Sequence, residues 1–456
     1  MPRQPELLPR SKTPTIAIAD THRLVQIADT LDWDELQQRV QEIRLAKLKN
    51  GAGQPPHLRA TLGAMVLMAT RKLTYREAED LIQYYAPARY LCGLTESNWT
   101  PDFTTIQDFT ELMGEKGIKL INQHVVHMAV KHKLADPCTL VADTTAQEAS
   151  MPYPNEMGLM SGFLTSVASA ARTVGRGLKG FVQQTESQFK AAKQKAREYR
   201  LFAKTKEGKG RAMRQMVSIV EKLNDHLGKA LGEAAAQRAT LHKYGIVAKT
   251  RLVQLQDTMS KLLPQIRYWI RTGYVASGKI INLHIPQLYS IVRGKVGKPV
   301  EFGLSWGITR LAGGYLLATL AQDRRELVDT KFAVRAVKDH IALFGQAPQA
   351  YAYDRGGYSA QNVSALKKLG VKDVGLAPRG RTQWSVSGVV RQRLVAERAL
   401  VEAGIGTIKS SRYGFNRPAA RSAAMMGACG QRAVLGFNSN KLVRELAGRK
   451  GMRLSG

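Results

Sequence analysis

The stretches Thr139-Leu140-Val141-Ala142-Asp143 and Ala350-Tyr351-Ala352-Tyr353-Asp354 share one pattern, a short apolar run that ends in a carboxylate. Such a run reads as a buried strand whose last residue emerges at its carboxyl end. If the two strands are neighbours in one sheet, Asp143 and Asp354 project at the same edge, where α/β sheets place their sites. Carboxylates are scarce in this chain of 456 residues, with 36 Asp and Glu against 68 Lys and Arg, so an Asp at both positions points to chemistry.

Around the second run the periodicity is that of an α/β domain. Strands are expected at Ile280–His284, Tyr289–Arg293, Val300–Leu311 and Gly314–Gln322. The last two read as a hairpin joined through Ala312-Gly313, with Leu316, Leu317, Ala318 and Leu320 as buried positions. Helices are expected at Thr330–Phe344, Ala360–Leu369, Glu397–Ser410 and Arg421–Leu446, with a further strand at Asp373–Ala377.

Before the first run, residues 56–135 read as helices, because apolar residues recur at three and four spacing through Leu62, Met65, Val66 and Met68. Thr74-Tyr75-Arg76-Glu77 and Thr104-Thr105-Ile106-Gln107 both fit the capping box. A helix, a turn at Arg71–Thr74 and a second helix allow either a DNA-reading helix-turn-helix or a packed helix pair. Between the two runs, residues 158–275 are rich in Ala, Lys, Gln and Arg and read as long helices broken near Gly208, Gly210 and Gly245. Residues 161–275 hold 22 Lys and Arg against 7 acids, and residues 377–456 hold 15 against 3. A solvated helical hairpin needs alternating signs, so Lys193, Lys195, Arg197 and Arg200 are candidates to face DNA. Polar residues interrupt any clean apolar face of the kind an interfacial membrane helix needs.

Composition narrows the class. Hydrophobic residues make up 44% and charged residues 23%, as in globular proteins, and the net charge is +32. A surplus that large self-repels unless a polyanion neutralises it, which makes nucleic acid the expected partner. No apolar run reaches the roughly 18 residues of a spanning helix, and the opening Met1–Glu6 lacks a signal-peptide core, so no membrane role and a cytoplasmic location are expected. Cys92, Cys138 and Cys429 are isolated and odd in number, which indicates neither a disulfide framework nor a cysteine zinc site.

A metal cage needs a third acid, and in the basic terminal region the choices are Glu397, Glu402 and Glu445. At about 100° per residue, Arg398 and Lys409 fall within about 40° of Glu402 on one helix face. Either the acid holds metal while the cations grip a phosphate backbone, or the three form an intrahelical ion pair. Three carboxylates suit phosphoryl transfer by two Mg²⁺ or Mn²⁺ ions, one activating the attacking oxygen and the other stabilising the leaving oxygen. The rival set of His124, His127 and His132 lacks an acid or cysteine to complete it.

The residues around these acids are more specific than the acids themselves. Asp143-Thr144-Thr145-Ala146-Gln147-Glu148-Ala149-Ser150-Met151-Pro152-Tyr153-Pro154 is one block; Ile291-Val292-Arg293-Gly294-Lys295 followed by Val300-Glu301-Phe302-Gly303 is another. Asp354-Arg355-Gly356-Gly357-Tyr358 with Asn362 and Gly370-Val371-Lys372 is a third. Glu402-Ala403-Gly404-Ile405-Gly406-Thr407-Ile408-Lys409 with Arg412-Tyr413-Gly414-Phe415 is the last. In these four ordered blocks the chain resembles DDE-type insertion-sequence transposases, especially the ISNCY-like group, over about residues 56–446. The resemblance implies an RNase H-like core, a mixed sheet flanked by helices, interrupted by an insertion, with Asp143, Asp354 and Glu402 as metal-binding triad. Related transposases carry a Tyr-Arg-Glu-Lys signature on the last helix; Arg398 and Lys409 match it by spacing, whereas the tyrosine position is Val395. Glu148 matches the family's Glu after the first Asp, either orienting the metal site from behind or lying on the surface.

The expected organisation is a helical DNA-binding or dimerisation domain at 1–135, the core at 136–157 and 276–420, a basic helical insertion at 158–275, and a C-terminal helix and basic tail at 421–456. The leading expectation is a bacterial, nucleoid-associated transposase, acting as a homodimer on double-stranded DNA. It would bind the terminal inverted repeats of its element, hydrolyse phosphodiesters at the ends and join the freed 3′ hydroxyls to target DNA, with Arg398, Lys409 and Arg412 touching DNA. An RNase H-like nuclease without strand transfer, and a non-catalytic DNA-binding protein on a transposase scaffold, remain alternatives.

Overall fold

A computed structural model describes residues 17–47, 57–174, 178–201, 205–236, 243–295, 298–323, 326–378, 384 and 386–455. The opening Met1–Glu6 lies outside them. Two compact units emerge: one of residues 1–147, 305–418 and 424–456, the other of residues 148–304 and 419–423.

In the first unit the chain opens with helices α1 (Arg23–Thr30), α2 (Trp33–Lys47), α3 (Leu58–Arg71), α4 (Tyr75–Tyr84), α5 (Ala86–Leu91) and α6 (Phe103–Lys131). The expected capping box at Thr74 is present, with Thr74 accepting from Glu77 N and the Glu77 carboxylate accepting from Thr74 N. The box expected at Thr104 is not. Asp102 caps α6 instead, its carboxylate accepting from Thr105 N at 2.6 Å, because a charged acceptor on the positive end of a helix outcompetes a hydroxyl two residues later.

Strand β1 (Asp136–Glu148) follows, then after the second unit β3 (Lys298–Ala312), β4 (Leu316–Leu320), α11 (Asp329–Phe344), β5 (Ala350–Tyr353), α12 (Ala360–Lys368), β6 (Asp373–Leu376), α13 (Gly388–Lys409) and α14 (Ala423–Arg449). The second unit holds α7 (Glu156–Val174), α8 (Lys179–Leu201), α9 (Lys206–Ala236), α10 (Lys243–Thr272) and β2 (Tyr289–Lys295). The six strands form a mixed sheet in the order β2-β3-β1-β5-β6, with β4 also paired to β3. Strands β1, β5 and β6 run parallel to their neighbours in that group, and β3 with β4 is an antiparallel hairpin. Its turn uses Gly313 and Gly314, both at φ near +90°, a region that favours glycine. Along β4 Leu316 and Ala318 face the core, whereas Leu317, on the other face, and Leu320, at the strand end, were expected inside and are half-exposed.

One hydrophobic core joins α1–α6 to the sheet and to α14, through Leu62, Val66, Ile121, Leu140, Tyr315, Phe332, Tyr351 and Leu435. Trp306, fully buried, donates Nε1 to Gln147 at 3.0 Å, and Gln147 donates in turn to Met426 O at 2.9 Å. Two corrections to the expected elements fall on boundaries. Strand β1 continues past Asp143 to Glu148, so Asp143 lies within the strand. Helix α13 begins at Gly388, capped by Ser387, nine residues before the expected start. Both extensions run through residues of mixed polarity, where periodicity gives no stop signal.

In the second unit α7–α10 pack around Met160, Phe163, Val220, Leu227, Leu252 and Leu262. The helices part near Gly208, Gly210 and Gly245 as expected, with the glycines themselves just inside the starts of α9 and α10, and the Thr205 hydroxyl accepts from Gly208 N at 3.0 Å. Ile280–His284 is not a strand. Asn282 Oδ1 accepts from His284 N and Ile285 N, a local turn that competes with a ladder, while Ile280 and Leu283 bury against the helices. Helix α9 does carry a clean apolar face, Met213, Met216, Val217, Val220, Leu223 and Leu227, and it is spent on this bundle. No helix among the described residues is long and apolar enough to cross a membrane.

Candidate functional site

The parallel register of β1 and β5 pairs Val141 with Ala352. Continued by two residues, it sets Asp143 beside Asp354, as expected for one shared edge. The Asp354 side chain accepts from Gly356 N at 2.8 Å and so caps the single turn of 3₁₀ helix at Arg355–Gly357. Asp143 Oδ1 accepts from Thr144 N at 2.7 Å. Both side chains are half-buried.

A third carboxylate at this edge was missed by the sequence reading. Asp329, the first residue of α11, accepts from Thr144 Oγ1 at 2.9 Å and from the Tyr353 hydroxyl at 3.0 Å. A Cβ on Gly356 would fall 2.4 Å from Asp329 Oδ2, so only glycine lets the 3₁₀ turn lie against this acid. Burial, and next the charge of Asp329, hold the Asp354 carboxyl above the ordinary aspartate range; the amides of Gly356 and Gly357 and the cation of Arg398 pull it back in part. Burial together with Asp354 and Asp143 pushes the Tyr351 hydroxyl far up. The signal that could have found Asp329 is Thr144 beside Asp143, a hydroxyl that needs an acceptor once buried.

Helix α13 faces the same edge. A cleft of about 340 Å³ is lined by Tyr353 and Arg355, which flank Asp354, and by Val395, Arg398 and Glu402 of α13. Glu402 and Arg398 share one helix face as expected, and their side chains pair at 3.2 Å, with Glu402 59% exposed. The alternative third acids point elsewhere: Glu397 pairs with Arg310, and Glu445 accepts from Tyr315 and Lys441. Lys409 ends α13, half-exposed. Arg412, three residues on, lies 5.5 Å over the Tyr413 ring.

Glu148 and the α8 cations fall in the second unit, the histidines and Cys92 in the first. Glu148 is the last residue of β1. On α8, Lys193, Arg197 and Arg200 are exposed, whereas Lys195 pairs with Glu198 at 2.7 Å. On α6, His124 and His127 are held below the ordinary histidine range mainly by burial, which suits neutral packing residues, and His132 caps the helix. Burial pushes the Cys92 thiol up to about 12, which leaves it unreactive.

Among the described residues no group of three or more His, Cys, Asp and Glu stands close enough to enclose a metal ion. The donor set still suits a hard cation. Asp143, Asp354 and Asp329 gather at one half-buried edge, where a bound divalent ion would offset the burial and the Asp329 charge that raise Asp354.

Residues 15–112 match the family described as Transposase domain (DUF772). The match runs from before α1 into the first half of α6 and stops short of the sheet; it supports a transposase family for the chain. Neither the curated proteins nor the solved structures contain a match.

Proposed function

We propose that the chain is a DDE-type insertion-sequence transposase with an RNase H-like core, in which Asp143, Asp354 and Glu402 hold the catalytic metals. The observation that carries this reading is the β1–β5 register, which sets two carboxylates at one sheet edge beside a helix bearing Glu402. The transposase-domain match over 15–112 gives it a family context. Two Mg²⁺ or Mn²⁺ ions bound there would activate the attacking oxygen and stabilise the leaving one.

The chain's own residues do the rest. Thr144 N holds Asp143 and Gly356 N holds Asp354, so both carboxylates are fixed in direction at the edge. Asp329 anchors the edge through Thr144 and Tyr353 and keeps its charge dense. Arg398 holds Glu402 in the cleft, and on meeting a DNA phosphate it would exchange that carboxylate for the anion, releasing Glu402 toward the edge. Lys409, Arg412 and the exposed cations of α8 add backbone contacts. In the first reaction water attacks phosphorus and frees a 3′ hydroxyl at each element end; in the second that hydroxyl attacks a target phosphodiester, whose own 3′ oxygen leaves. The protein works as a homodimer on two terminal inverted repeats.

The Arg398–Glu402 pair is also what favours the second reading, a DNA-binding protein on a transposase scaffold that no longer cuts. Single-turnover cleavage of duplexes carrying the element's own ends, with Mg²⁺, separates the two. Asp143→Ala, Asp354→Ala and Glu402→Ala should each abolish cleavage and leave DNA binding largely intact. Wild-type cleavage by any one of them removes that residue from the triad, and no cleavage by the wild type supports the second reading.

A further inference from the structure

The turn joining α3 to α4 is docked onto the loop that leaves α13. Lys72, the left-handed cap of α3, donates Nζ to Ser411 O at 2.8 Å, and its stem lies against Gly414. The end of the chain returns to the same region. Arg23 N donates to Ser455 O at 2.9 Å and Ser455 N donates to Thr21 O at 3.0 Å. Pieces distant in sequence therefore enclose one space.

That space is a cleft of about 440 Å³ lined by Arg23 of α1, Thr70 and Arg71 of α3, Leu73, Arg412 and Asn440 of α14. No carboxylate lines it. Arg71 lies 5.6 Å over the Tyr85 ring and Arg412 5.5 Å over Tyr413, so aromatic faces hold both guanidiniums in place. Arg23 Nε is buried with no hydrogen-bond partner. Burial, then the cations of Arg71 and Arg23, hold His22 below the ordinary histidine range. Three like charges gathered at one cleft repel, and a buried donor left unpaired costs free energy that an entering acceptor returns. Planar guanidiniums match phosphate oxygens in two-pronged fashion.

We infer that this cleft grips a backbone phosphate of duplex DNA, at a place distinct from the carboxylate edge. The inference rests on the transposase reading for its choice of polyanion. Glu402 stands roughly 10 Å up α13 from Lys409 by helix rise. The cleft thus ties the α3–α4 pair and the Glu402 helix to one strand, fixing register without reading bases.

The test is equilibrium binding of the full chain to a short duplex of random sequence, followed by fluorescence anisotropy across KCl concentrations. R23Q/R71Q/R412Q should flatten the slope of log affinity against log salt by about 0.9 per lost contact. R23K/R71K/R412K keeps the charges and should keep most of the slope. An unchanged slope in the Gln variant overturns the inference, and so does equal flattening in the Lys variant, since the fold rather than the charge would then be responsible. A free anion is the other possible occupant. If inorganic phosphate at constant ionic strength raises the melting temperature of the wild type but not of the Gln variant, while the slope is unchanged, the cleft serves small anions and the inference fails. D354N leaves the cleft intact, so cleavage surviving in D354N sinks the catalytic reading alone.

Discussion

The Tyr353 hydroxyl donates to Asp329 Oδ1 at 3.0 Å, joining the last residue of β5 to the first residue of α11. Thr144 Oγ1 reaches the same oxygen from β1 at 2.9 Å. One carboxylate thus ties together both strands that bear the proposed catalytic aspartates. It also imposes a cost, because its charge adds to burial in raising the neighbouring Asp354.

That cost predicts a pH dependence. Asp354 binds its proton more tightly in the folded state than in the unfolded one, so its stabilising contribution is complete below the unfolded value of about 3.9 and is lost as pH rises through the higher folded value. Above that value the ionised Asp354 strains the fold. Asn at this position keeps an acceptor for Gly356 N and carries no charge. In metal-free buffer, D354N should melt above wild type at pH 7, with the gap closing toward pH 4. A gap that is constant with pH would exclude charge as its cause.

Asp329→Asn preserves an oxygen for Thr144 and Tyr353 but removes the charge. Cleavage should fall by roughly 10–100-fold, the usual loss when a group supporting metal ligands is altered. The acidic limb of the pH–rate profile should move part of the way to lower pH, since burial, the larger cause of the raised Asp354, remains. A wild-type rate with an unmoved profile would make Asp329 purely architectural.

On α8 the structure sharpens an expectation drawn from charge counting. Lys195 is already paired with Glu198, so Lys193, Arg197 and Arg200 should carry the DNA contacts of this helix. Replacing those three with Gln should flatten the salt slope by about 0.9 for each contact made, while Lys195→Gln alone should change it little. An unmoved slope in the triple variant would assign the second unit to protein assembly.

The two apolar runs before Asp143 and Asp354 were legible because burial forces a short, continuous apolar stretch, although β1 runs on past Asp143 to Glu148. The α11, α12 and α14 helices and the hairpin at Gly313 were legible for similar local reasons. Asp329 was not, since its partners Thr144 and Tyr353 are remote in sequence and no periodicity marks a residue that opens a helix. Ile280–His284 misled because isoleucine and leucine at alternate positions fit a strand and equally fit a turn clamped by Asn282 against a helical bundle. The cleft of Arg23, Arg71 and Arg412 draws on three separate segments, so no window of sequence contains it.

The sharpest remaining test concerns the face of α13. Arg398 and Glu402 pair at 3.2 Å at a half-exposed site, where such an i,i+4 contact contributes about 0.3–0.5 kcal/mol. That is too little to make the pair a stability device, so its value should lie in chemistry. Lys409→Met keeps the apolar stem at the end of the same face and should slow cleavage or joining with almost no change in melting temperature. Val395, 51% exposed and lining the cleft two turns before Glu402, supplies an internal control. Val395→Tyr meets open space, restores the residue type that the resembling transposases carry, and should hold or raise the joining rate if the helix register is correct. Single-turnover cleavage and joining on a pre-bound terminal repeat, paired with melting curves, reads all of these at once. Unaltered chemistry in Lys409→Met together with a lowered melting temperature would reduce this face to a structural ion-pair ladder and leave Glu402 without a role at the sheet edge.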